Sequence, residues 1–292
     1  MIIVRVIGGL GNQMFQYALG RRLADRLHVP LKLDITGFRV YDLHRYSLWA
    51  LNIREDLATD VEVAQATGGR TARVRRLMSR TIPVLPARSR RHIRESSFAF
   101  DPRVLEARDR SYLDGYWQSD KYFAGSEERL RVEFSLRAPL QGQDLEVAQQ
   151  MRQRPSVSLH VRRGDYVSNQ ETSQIYGVCD AGYYERCIAY LAARLENPAF
   201  FVFSDEPDWA RENLDIPYRT TVVSHNDASR NFDDLHLMSI CDHHIIANSS
   251  FSWWGAWLNP EPSKMVLMPT CWFRDHEPEA TADIRPAGWI AL

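Results

Sequence analysis

The apolar positions of the chain fall into two periods. Short apolar runs at 1–7 (broken only by Arg5), 200–203 and 245–247, and a run of apolar and small residues at 157–159, have the length and content of buried strands, and 31–34 and 220–223 read as strands too. A shorter strand is expected at the start of 112–123, before an aromatic-rich loop. Between the runs, apolar residues recur every three or four positions. Met14, Phe15, Ala18, Leu19, Leu23 and Leu27 follow the first run, and Tyr183, Cys187, Ile188 and Leu191 precede the 200–203 run. This spacing predicts helices with one buried stripe. Polar helical text covers 126–134, and an amphipathic helix burying Leu145, Ala148 and Met151 leads into the second half. Strand and helix alternate throughout, which is the pattern of parallel α/β sheets.

The strand ends carry the candidate chemistry. The first run leads into Gly8-Gly9-Leu10-Gly11-Asn12-Gln13, and the second ends in Asp34. The third group reads His160-Val161-Arg162-Arg163-Gly164-Asp165, the next Ser204-Asp205-Glu206-Pro207, and the last Asn248-Ser249-Ser250. Ligands of open α/β sheets bind at the carboxyl ends of strands. A guanidinium fork suits phosphate oxygens, and a helix opening on small polar residues offers free N–H groups to the same anion. A nucleotide in a cleft is the economical reading. Each segment also has a structural reading: a tight glycine turn, an Arg–Asp surface pair, or an N-cap at Ser204 or Asp205. The glycine turn is not the dinucleotide fingerprint, because Met14 stands where the third glycine belongs.

Composition narrows the class. With 292 residues the chain suits two domains of about 140 each, and the texture changes near residue 140. We therefore expect domains at 1–140 and 141–292. Net charge is −1, so no global field recruits nucleic acid or membrane. No apolar run reaches the roughly 20 residues of a spanning helix, and the start lacks the basic and apolar regions of a signal peptide. Cys179, Cys187, Cys241 and Cys271 show neither zinc spacing nor a disulfide framework, so a reduced, cytoplasmic setting is expected. Two local features stand out. Phe38, Tyr41, His44, Tyr46 and Trp49 form an aromatic group, readable as core or as an acceptor wall. Residues 70–94 hold nine arginines and no acidic residue, a solvated face or a peripheral contact with an anionic membrane surface.

Taken together, GGLGNQMFQYALG at 8–20, HVRRGDY at 160–166, FVFSDE at 201–206 and DDLHLMSICDHHIIANSSFSWWGAWL at 233–258 resemble the family-11 glycosyltransferases, the α-1,2-fucosyltransferases. The resemblance implies a GT-B-type fold, two Rossmann-like domains facing a cleft, with the N-terminal domain on the acceptor side and the C-terminal domain holding the donor. It implies GDP-fucose as donor substrate and a galactose-terminated glycan as acceptor, lipid-linked in O-antigen assembly. Transfer to the 2-hydroxyl would be inverting and would need no metal or other cofactor. Carried onto this chain, Arg162 would bind the β-phosphate and stabilise departing GDP. His160, Ser204 and Asp205 would contact the nucleoside. Asn248, Ser249 and Ser250 would form the phosphate-binding helix start, with Gly11 and Asn12 facing the same diphosphate. Inversion calls for a base, for which Asp34 and then Asp165 are the nominees, while Arg163 and Asp165 would support each other.

Overall fold

The computed structural model describes residues 1–67, 91–169, 176–274 and 278–292, apart from the side chains of Arg91, Asp165 and residues 278–280. Most of the arginine-rich run, and the membrane contact expected of it, therefore lies outside the described residues.

The chain forms two compact units, one of Met1–Trp49 and Ile53–Glu133, the other of Ala50–Asn52 and Phe134–Leu292. In the first, β1 (Ile2–Arg5), β2 (Leu31–Asp34), β3 (Arg91–Arg94) and β4 (Ser111–Asp114) pair in the order β2-β1-β4-β3, every pair parallel. Helix α1 (Leu10–Leu27) follows β1, α2 (Asp60–Thr67) precedes β3, and α3 (Glu127–Glu133) closes the unit. α1 ends at His28 in the left-handed conformation, whose N–H closes back on Ala24 and Asp25.

In the second unit the elements run α4 (Gly142–Met151), β5 (Ser156–Val161), α5 (Gly164–Ser168), α6 (Ala181–Ala192) and β6 (Ala199–Ser204). Then come α7 (Pro207–Asn213), β7 (Arg219–Val223), α8 (Asn231–Ser239), β8 (His243–Ile245), α9 (Ser250–Leu258), β9 (Val266–Met268) and β10 (Ile290–Ala291). The sheet order is β10-β9-β8-β5-β6-β7, parallel throughout. Numbered within the unit, that is 3-2-1-4-5-6, the Rossmann order. β5 is buried along its whole length, as a central strand covered on both faces must be.

The tryptophans of α9 are core, as their spacing suggests. Trp253 and Trp254 are fully buried, and the Trp253 indole N–H donates to the Ile284 carbonyl at 2.7 Å. Helices α8 and α9 pack closely at Gly255, where a Cβ would approach Met238 to 2.9 Å. Beneath them His244 is wholly buried, its ring nitrogens 2.8 Å from Ser158 Oγ and 2.9 Å from Asn259 Nδ2. Burial holds the His244 imidazole well below its usual pKa.

The α4 face differs from the expected one. Leu145 is exposed, and the buried stripe is Asp144, Val147, Ala148 and Met151. The helix is rotated because Asp144 has partners inside: it accepts from Asn226 Nδ2 at 2.7 Å and pairs with Arg230 and His225 at 2.8 Å each. A buried carboxylate with three donors is tolerable where an unpaired one would not be. Strands β3, β9 and β10 do not appear among the apolar runs: β3 is polar and sits in the arginine run, while β9 and β10 are three and two residues long.

Candidate active site

The topological switch of the second sheet lies between β5 and β8, where the chain order reverses. β5 delivers His160 and, just past its end, Arg162. β8 delivers Asn248 and Ser249. The two ends touch: the His160 and Phe251 rings lie 5.6 Å apart, and the Tyr166 hydroxyl donates to the Asn248 carbonyl at 3.1 Å. The Arg162 guanidinium lies over the Tyr166 ring at 5.4 Å.

Arg162 is held from the neighbouring strand end. Asp205 Oδ2 lies 3.0 Å from Arg162 Nη1, and Asp205 Oδ1 accepts the Arg163 backbone N–H at 3.0 Å. One carboxylate thus fixes both the backbone and the side chain of the arginine pair. Asp205 is close to Arg162 rather than standing apart as an N-cap. The residue capping α7 is Glu206, whose N–H is received by Ser204 Oγ at 2.9 Å. Arg163 turns away from the crevice. Its Nε lies 3.1 Å from Glu206 Oε2 and its guanidinium stacks on Trp209 at 4.1 Å. The Asp165 side chain, and with it the expected Arg163–Asp165 support, lies outside the described residues.

His160 is buried, and burial lowers its pKa to about 4, with Arg162 adding to the depression and Asp205 opposing it. The imidazole is neutral at physiological pH. Its Nδ1 is buried without a hydrogen-bond partner among the described residues, and Tyr184 donates to its carbonyl at 3.2 Å. An open hydrogen-bonding position beside a fixed guanidinium suits a polar ligand.

Ser249 is the N-cap of α9, its Oγ accepting the Phe251 N–H at 3.3 Å, and Ser250 opens the helix half-buried. Asn248 reaches the same edge, but its amide is committed to structure. Nδ2 donates to the carbonyls of Gly177 (2.8 Å) and Trp272 (3.1 Å), and Oδ1 receives the Cys179 thiol at 3.7 Å. It ties two loops to the strand end. A cavity of about 290 Å³ lies between those loops, lined by Cys179, Asp180, Arg186, Thr270 and Arg274 among others. Neither His160 nor Arg162 lines it.

In the first unit, Gly8 has φ +86°, in the region that favours glycine, and a Cβ there would meet Asn12 Nδ2 at 2.9 Å. Gly11 is buried in the first turn of α1. The amides that follow are latches. Asn12 Oδ1 accepts from Gln118 at 2.7 Å, and Gln16 spans the Ile7 N–H and the Gly115 carbonyl. Asp34 is also committed. Oδ1 accepts from the Thr36 N–H and hydroxyl at 2.9 and 2.7 Å, and Oδ2 accepts from Tyr112 Oη at 2.6 Å. Its carboxylate organises the end of β2. Among the described residues, no group of three or more His, Cys, Asp or Glu side chains is placed to hold a metal ion.

Two Rossmann-like parallel units in one chain are the GT-B architecture of nucleotide-sugar glycosyltransferases. The chain belongs to glycosyl transferase family 11, whose family model matches residues 88–292. It is 35% identical over 301 residues to an Escherichia coli alpha-1,2-colitosyltransferase, covering 100% of this chain and 99% of that protein. It is 30% identical over 308 residues to the Escherichia coli O-antigen biosynthesis glycosyltransferase WbnK, covering 98% of each. Among solved structures, a mutant of Arabidopsis thaliana FUT1 in complex with GDP matches with TM-score 0.52 at 11% identity, covering 91% of this chain and 69% of that one. The NodZ alpha-1,6-fucosyltransferase soaked with GDP-fucose matches with TM-score 0.50 at 17% identity, covering 89% and 92%. The last two speak for the fold alone.

Proposed function

We propose that this glycosyltransferase moves L-fucose from GDP-fucose to the 2-hydroxyl of a terminal galactose, with inversion and without a metal. The observation that carries this reading is Arg162, fixed by Asp205 at the β5–β8 switch point beside the opening of α9. Guanidinium and helix N–H groups are fixed positive charge and partial charge placed before the reaction, able to neutralise the β-phosphate as the glycosidic bond breaks. Neutral His160, with its open Nδ1, would take a hydrogen bond from, or give one to, the nucleotide.

The transition state would be oxocarbenium-like, by analogy with glycoside chemistry. Asp34, 2% exposed, would have to exchange its Thr36 or Tyr112 hydrogen bonds to serve as base. Acceptor deprotonation by the departing phosphate needs no protein carboxylate. The acceptor would be a galactose-terminated, lipid-linked O-antigen unit handled in the cytoplasm, a reading supported by the named role of WbnK. Among the described residues, no helix is long and apolar enough to cross a membrane.

A second donor follows from the alpha-1,2-colitosyltransferase relative, which matches the whole chain: colitose in place of fucose with the same linkage. Incubating the protein with a β-galactoside and either GDP-fucose or GDP-colitose, with and without EDTA, separates the readings. Fucose linked α-1,2 to galactose, insensitive to EDTA, is the expected product. Preference for GDP-colitose would transfer the assignment to the second reading. Transfer of neither sugar, a different linkage, or complete dependence on metal would reject the proposal.

A further inference from the structure

The loop after β2 folds over the glycine turn that ends β1, all within the first unit. It carries a chain of rings. His44 and Tyr41 have centroids 6.1 Å apart, Tyr41 and Phe38 6.1 Å at 75°, and Phe38 and Tyr46 6.2 Å at 61°. Each of the four is half-buried, unlike Trp117, Tyr122 and Phe123 of the same unit, which are sealed in its core. The surrounding apolar side chains are open as well, with Val40 at 86% exposure.

An apolar loop with so little burial would be mobile unless held, and this one is held from beneath. Gln13 is 0% exposed. Its amide nitrogen, Nε2, donates to the Gly8 and Arg45 carbonyls, each at 2.8 Å, and its Oε1 accepts the Ser47 N–H at 2.9 Å. Tyr46 Oη donates to Glu55 Oε1 at 2.5 Å, and the His44 ring lies against Gly9. A buried side chain with three hydrogen bonds thus fixes a partly exposed aromatic surface to the carboxyl end of a central strand. Burying and satisfying an amide for this purpose is a specific arrangement.

We propose that this loop is the platform on which the acceptor's galactose ring stacks, with Tyr41 and Phe38 as its centre. This rests on the galactoside reading above and assigns the acceptor subsite. With its 4-hydroxyl axial, galactose presents one face of C–H groups, whose partial positive charge complements the negative face of an aromatic ring. Its opposite edge presents hydroxyls, and exposed Asp42 and Arg45 on the same loop are suited to receive them. Gln13 acts as a positioning residue, remote from the reacting atoms.

Saturation-transfer NMR with methyl β-galactoside on the full chain tests the platform without requiring turnover. The expected signals come from the C–H face of the sugar and are lost in Tyr41→Leu and Phe38→Leu, while calorimetric GDP affinity stays within about twofold of wild type. In turnover assays the acceptor KM of either variant rises about tenfold or more, with donor KM unchanged. Leucine keeps apolar bulk, and retained GDP binding verifies the fold. No galactoside binding by the wild-type chain, or binding and acceptor KM unaltered in both variants, overturns the platform. A wild-type chain that binds galactoside through these rings yet refuses GDP-fucose rejects the donor assignment and leaves the platform standing.

Discussion

Asp205 Oδ2 lies 3.0 Å from Arg162 Nη1 while Oδ1 of the same carboxylate receives the N–H of Arg163. The guanidinium is therefore oriented by a neighbour in the adjacent strand-end loop. Replacing Asp205 by Asn keeps the shape and the backbone acceptor but removes the charge that aims Arg162. We expect kcat to fall on the order of 100-fold, with GDP affinity reduced less than about tenfold, measured by steady-state kinetics and calorimetry on the same preparation.

Gly164 offers the same test without touching a charge. A Cβ there would stand 2.7 Å from Asp205 Oδ2, so Gly164→Ala must displace the carboxylate. The variant should match Asp205→Asn in activity, with a melting temperature within a few degrees of wild type. Near-normal kcat in Gly164→Ala would show that Asp205 has room to shift while still serving Arg162.

Much of the architecture was legible in the sequence because β6 and the end of β8 are continuous apolar runs and α1 and α6 keep a clean stripe. The site's partnerships were less so. Arg162, Asp205 and His160 could be placed on one sheet edge, since the edge follows from strand order. That Asp205 would grip Arg162, and that Glu206 and Trp209 would claim Arg163, depends on side-chain directions that no spacing encodes. Asn248 and Asp34 look like ligand groups in sequence because buried structural amides and carboxylates use the same residue types. Asp144 shows the converse. The expected stripe of Leu145, Ala148 and Met151 does not include it, yet it turns inward to Arg230, His225 and Asn226, partners more than 80 residues further along the chain.

Two buried imidazoles lower stability on the acid side. His160 is depressed to about 4, and His244 lies well below its ordinary value, each chiefly by burial. Below the unfolded value near 6.5 the unfolded chain takes up protons that the native chain refuses. Their contribution is therefore full above pH 6.5 and falls as pH drops towards 4, with a slope approaching about 1.4 kcal/mol per pH unit per imidazole. Urea unfolding at several pH values should show this slope reduced in His160→Asn.

Asp234 works in the opposite direction. Burial raises its pKa to about 7 beside Asp144 and Asp233, although Asn226 donates to it at 2.8 Å. Between roughly pH 4 and 7 the native state keeps a proton that the unfolded chain has released, so this group's contribution declines as pH rises through that window and levels off above it. Asp234→Asn should gain stability relative to wild type at pH 8 and show little difference near pH 4. An equal effect at both pH values would contradict the raised pKa.

The most direct test of the account is calorimetric titration of GDP and GMP into wild-type and Arg162→Ala protein. If Arg162 binds the β-phosphate, the wild-type chain prefers GDP to GMP, and the variant loses that preference while holding GMP as before. An Arg162→Ala chain that still binds GDP more tightly than GMP by the wild-type margin would contradict the account.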